Sequence, residues 1–120
     1  VQRAATAQLH QKYVEAHGGT IGWSDSPIAT TVPKECEYLD VSIDMDVFSM
    51  AEAPGVSAPQ PLGLSAASLM PFMTSAFSAP NLRTVGLYET APLLDSAAEP
   101  TARLAARLLW HALRSSHSSR

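Results

Sequence analysis

Apolar residues recur along this chain at two different spacings, and the changes between them mark out its elements. Over residues 2–17 Ala5, Leu9, Tyr13 and Ala16 stand three or four apart, the period of a helix face. Gly18-Gly19 ends that helix, because a glycine just beyond the last turn accepts the left-handed backbone of a C-cap, and His17 stands where a cation complements the helix dipole. From Glu37 to Asp44 the spacing falls to two, with Leu39, Val41 and Ile43 on one face and Asp40, Ser42 and Asp44 on the other, which predicts a strand. Helical spacing returns from Leu64 to Phe77, where Leu69, Met73, Ala76 and Phe77 form a stripe, Ser65 is a candidate N-cap, and Met70, Phe72 and Met73 read as core. Pro71 conflicts with a regular helix there. An interior proline costs about 3 kcal/mol, so the element is expected to kink, to start later or to split in two.

Leu82 to Tyr88 predicts a second strand, bounded by Pro80 and Pro92. Ser96 and Glu99 match a capping box opening a last helix, in which Leu104, Leu108 and Ala112 line one face with Ala105, Leu109 and Leu113 beside them. Arg103 and Arg107 fall on its solvated side, and the patternless residues 115–120 read as a frayed tail. Thr20 to Lys34 carries turn residues and reads as a connector; Pro54-Gly55 makes a tight turn, with Pro59 and Pro61 stiffening the loop after it. Strand, helix, strand, helix at this spacing predicts an α/β arrangement with parallel pairing, since parallel neighbours need a crossover. In open sheets of that kind ligands gather at the carboxyl ends of the strands, where Asp44 and Glu89 both fall.

The totals narrow the range of functions. With 120 residues there is room for one modest core, and a net charge of −3 gives no basic footprint for nucleic acid or a membrane surface. No run approaches the roughly 20 apolar residues of a transmembrane helix. The opening VQRAATAQLHQKY lacks the apolar centre of a signal peptide, and the lone Cys36, read as a small buried hydrophobe at a strand start, agrees with a reducing compartment. The expectation is a cytoplasmic protein.

Candidate chemistry lies at the end of the first strand. Two carboxylates at a buried-looking strand end need compensation, for which a cation or a hydrogen-bond network serves. Strict alternation puts Asp44 and Asp46 on one side, able to grip one cation or bridge two. The segment Ser42 to Leu64, SIDMDVFSMAEAPGVSAPQPLGL, resembles the second metal-binding motif of the ureohydrolases, the family of arginase, agmatinase and formimidoylglutamase. Arginase and agmatinase types usually carry Asp-Pro shortly after the second acid; this chain has Ser49-Met50, and its run APGVSAPQPLGL is most similar to the formimidoylglutamase branch.

The resemblance implies that Asp44 and Asp46 are ligands to a pair of manganese ions. It implies that Glu89, in GLYETAP, is the strand-end glutamate that pairs with the cationic nitrogen of the substrate. It further implies the C-terminal portion of a three-layer α/β/α fold with a parallel sheet, the upstream motifs Gly-Gly-Asp-His and Asp-Ala-His-x-Asp being absent. The implied activity is hydrolysis of a C–N bond in a small amidine or guanidine by metal-bridged hydroxide. N-formimidoyl-L-glutamate, giving glutamate and formamide in histidine metabolism, is the first substrate, and arginine or agmatine, giving urea, the alternative. No catalytic side chain is assigned, and the histidines, including His111 and His117 six residues apart, do not build a metal site. The expected partners are that substrate and, as in family rings, further copies of the full-length protein; the 120 residues alone are expected to be inactive. Two other readings stand beside this: a non-catalytic remnant or interaction module of the same family, and an unrelated small domain with an acidic site.

Overall fold

Helix α1 (Gln8–Ala16) ends as its glycines require. Gly18 has φ +76°, its N–H donates to the Glu15 carbonyl at 3.1 Å and the Gly19 N–H donates to the Val14 carbonyl at 2.8 Å, the paired bonds of a Schellman cap. The His17 ring joins in, its Nδ1 lying 2.7 Å from the Tyr13 carbonyl. None of the residues of α1 is buried, and Leu9 and Tyr13 of its apolar stripe are well exposed, so this helix stands apart from the core. The computed structural model describes residues 7–23, 26, 32 and 35–118. The start of the helix expected over residues 2–6 and most of the connector expected between Thr20 and Lys34 lie outside them.

Strands β1 (Leu39–Asp44) and β2 (Leu82–Tyr88) pair in parallel, as the crossover argument requires. Val41 faces Val85 and Ile43 faces Leu87, while Ser42 and Asp44 face Gly86 and Tyr88 on the opposite side. The apolar side packs on two helices. The crossover helix α2 (Ala66–Phe77) supplies Met73, Ala76 and Phe77, and the final helix α3 (Pro100–Ser118) supplies Leu108 and Ala112. Phe48 and Phe77, both fully buried, anchor this core. Full burial of such a side chain contributes roughly 2–3 kcal/mol. Leu109 and Leu113, expected beside the apolar face, remain exposed.

Several sequence expectations are corrected. Pro71 neither splits nor delays α2: the helix starts at Ala66 with Ser65 as N-cap, its Oγ accepting from the Ser68 N–H at 3.2 Å, and continues past an exposed Pro71. α3 runs on through Ser118, over residues 115–118 that the sequence assigns to a frayed tail, while residues 119–120 and the side chain of His117 lie outside the described part. The capping box does not form. Glu99 takes φ +51°, and Asp95 instead accepts from the N–H groups of Thr101 at 3.0 Å and Ala102 at 3.2 Å in the first turn of α3. Cys36 is exposed rather than buried, and the Asn81 amide donates to its carbonyl at 2.8 Å and to its Sγ at 3.3 Å.

Candidate functional site

β1 ends at Asp44, and the alternation that would set Asp46 beside it ends there too. Met45–Val47 form one turn of 3-10 helix, capped by the Asp44 carboxylate, whose Oδ1 accepts from the Asp46 N–H at 2.8 Å. This corrects the same-face argument. The turn drives Met45 fully into the core and leaves Asp46 half-buried against the loop that follows. That loop returns to the strand end and pairs with it: the Leu64 N–H donates to the Val47 carbonyl and the Ser49 N–H to the Leu64 carbonyl, both at 2.9 Å. Gly63 is required for this approach, because a Cβ there would collide with the backbone of Phe48.

Burial raises the pKa of Asp46, and the Asp44 and Glu89 carboxylates raise it further, against a hydrogen bond from the Ala58 backbone that lowers it. One carboxylate oxygen, Oδ1, is shut off from solvent without a hydrogen-bond partner. A buried oxygen of this kind, with two further carboxylates near enough to be felt, is an arrangement that a cation relieves. The donors are all oxygen, the kind that suits manganese or magnesium. Asp44 and Asp46 therefore fit a share of a metal site. Among the described residues no group of three or more His, Cys, Asp or Glu is assembled that could hold an ion unaided.

Glu89 follows β2 directly and adopts φ +63°. Its Oε2 accepts from Ser57 Oγ at 3.0 Å, and the neighbouring backbone pairs with the loop through Val56 and Thr90 and through the Ala91 N–H, which donates to the Gly55 carbonyl at 2.8 Å. Beneath this corner the Gly55 N–H donates at 2.8 Å to Oγ1 of the buried Thr101, and Thr101 Oγ1 donates to Asp95 Oδ1 at 3.0 Å. A Cβ on Gly55 would come within 2.6 Å of the Asp95 Cβ.

Sequence reasoning placed Asp44, Asp46 and Glu89 together at the strand ends but missed Ser57, Asp95 and Thr101. Asp95 is as good a capping type as its neighbour Ser96, and that was the available signal. His111 serves packing: Thr74 Oγ1 lies 3.0 Å from its Nε2, and the ring meets Phe77 edge-on at 5.7 Å.

The parallel strand pair and its acidic corner define a class. The sequence pattern of the arginase family matches residues 8–114, and the chain belongs to that family. It is 44% identical over 77 residues to a formimidoylglutamase of Vibrio vulnificus, a match covering 63% of this chain and 23% of that protein. With the Photobacterium profundum formimidoylglutamase it shares 40% over 108 residues, 85% of this chain and 29% of the relative. Among solved structures, formimidoylglutamase from Bacillus subtilis superposes with a TM-score of 0.87 at 26% identity, over 98% of this chain and 40% of that one. Trypanosoma cruzi formiminoglutamase crystallised with Mn2+ gives 0.80 at 24%, over 93% and 40%. The fold is thus the α/β fold of that superfamily, and the chain spans less than a third of the length of these two curated relatives.

Proposed function

We propose that the protein carrying these residues is a manganese-dependent hydrolase of the formimidoylglutamase type. It cleaves N-formimidoyl-L-glutamate and water to glutamate and formamide, and it acts in the cytoplasm, in histidine metabolism, as an assembly of several copies. The observation that carries the reading is the Asp44–Asp46 pair, with its unpartnered buried oxygen, beside Glu89 at the carboxyl ends of adjacent parallel strands. The identity of 40–44% to formimidoylglutamases supports this substrate over arginine or agmatine.

In this reading Asp44 and Asp46 hold the metal together with ligands from outside the described residues. When bound, the ions make water acidic enough to furnish a nucleophile near neutral pH. Glu89 binds the planar amidinium through two parallel N–H···O bonds, which orients it and sustains its positive charge. Burial and the Asp44 and Glu89 carboxylates disfavour the charged form of Asp46, and a cation beside it would offset that cost, so metal binding and carboxylate charge are coupled.

The test is product analysis on the full-length protein with Mn2+, offering N-formimidoyl-L-glutamate, arginine and agmatine in parallel. Formamide from the first, lost in Asp44→Asn and Asp46→Asn, is expected. Urea from either of the others would move the protein to a different branch. No product from any, together with no thermal shift on adding Mn2+, would favour the non-catalytic remnant.

A further inference from the structure

We propose that Ser57 is a positioning residue, holding the Glu89 carboxylate in one orientation so that it can receive a planar amidinium; this rests on the role given to Glu89 above. Glu89 is exposed, and an unrestrained glutamate samples many rotamers whose loss opposes binding. The Ser57 hydroxyl removes much of that freedom by donating to Oε2 at 3.0 Å, and it leaves Oε1 and the second lone pair of Oε2 for a ligand. Two side chains joined on a mobile surface would gain little from one such bond. Here both ends are fixed.

Ser57 lies two residues beyond Gly55, which is tied to the buried Thr101 through its N–H and to Ala91 through its carbonyl. Glu89 lies one residue before Thr90, which pairs with Val56, and its own backbone is set at φ +63°. The hydrogen bond thus spans 32 residues of sequence between two segments already clamped to each other, and its geometry is imposed by the fold. The chemistry selects a cation with coplanar N–H donors, an amidinium or guanidinium, over a spherical ammonium of the same charge.

Ser57→Ala and Ser57→Thr in the full-length protein test this, with N-formimidoyl-L-glutamate and Mn2+. Because Ser57 is exposed, both variants are expected to keep the wild-type Tm. Loss of one hydrogen bond to a carboxylate at an exposed site is expected to lower kcat/KM about five- to tenfold in Ser57→Ala, mostly through KM, with Ser57→Thr recovering most of it. Unchanged kinetics in Ser57→Ala, or equal loss in both variants with the Glu89 side chain as ordered as in wild type, would overturn the proposal. If the wild-type protein releases no formamide, the functional reading fails by itself. Carbon-13 relaxation of the Glu89 γ-methylene then decides the role of Ser57: increased rotamer averaging in Ser57→Ala upholds it, and unchanged order refutes it.

Discussion

Asp46 shows how a single residue can oppose the fold that holds it. Its pKa is raised by burial, then by Asp44 and Glu89, so folding disfavours its charged form. The sign follows from linkage: the metal-free chain is penalised above the folded pKa of Asp46. It gains stability as pH falls through that raised value, and the gain is complete below the ordinary carboxylate pKa. Asp46→Asn is therefore expected to raise the Tm of the metal-free protein at neutral pH. The same substitution should abolish the stabilisation that Mn2+ gives to the wild type. Differential scanning calorimetry with and without Mn2+ checks both, and a lower metal-free Tm in the variant would refute the electrostatic account. The acid was legible in the sequence, but its geometry was not. In Asp-x-Asp a short side chain can capture the N–H two residues on, and that local bond turned the backbone out of the strand.

At the level of elements, what could be read was what depends on periodicity or on a glycine with one use. The alternation of Leu39, Val41 and Ile43, the Ser65 cap and the Gly18-Gly19 stop were all legible from their neighbours alone. The start of α3 was not, because Ser96 and Glu99 meet the local rule while Asp95 meets a tertiary one. Asp95 accepts from Ser96, Thr101 and Ala102, and its partner Thr101 in turn holds Gly55, 46 residues away. Asp95→Ala removes a helix cap and leaves the buried Thr101 hydroxyl short of an acceptor. The expected loss is about 2–4 kcal/mol, the sum of a cap and an unsatisfied buried group. Urea denaturation measures it, and Asp95→Asn should lose less because its amide oxygen still caps. A loss below about 0.5 kcal/mol, the usual range for a surface substitution, would mean that the network is incidental.

The molecule as a whole extends 42 × 38 × 22 Å, and the short dimension matches one sheet and one helix layer, each about 10 Å deep. Both core helices lie on the apolar side of the sheet, and on its other side Asp40, Ser42 and Asp44 are exposed among the described residues. Asp40, out of place in a buried parallel strand, is explained by that side. It accepts from Thr84 Oγ1 at 2.7 Å and forms a bidentate pair with Arg83, whose guanidinium also lies over the Tyr38 ring at 5.0 Å. The Thr84 hydrogen bond, then the Arg83 bond and charge, hold its pKa below the ordinary value. The contribution is therefore present above the ordinary carboxylate pKa and lost as pH falls through the folded one. In water such a pair is weak, and Asp40→Asn is expected to lower the neutral-pH Tm slightly and to flatten the acid limb of the stability curve by the same small amount. An acid limb identical to wild type would contradict this.

The same triad behaves differently once another protein layer lies over it. Covering Asp40, Arg83 and Thr84 with an apolar surface would strip water from an ion pair with no new partners for its remaining lone pairs and protons, which is unfavourable. A covering surface that offers polar groups at matching positions escapes that cost. Any layer docked over this face would therefore have to set polar groups against Asp40, Arg83 and Thr84, and the same layer shifted by a residue would leave them unpaired.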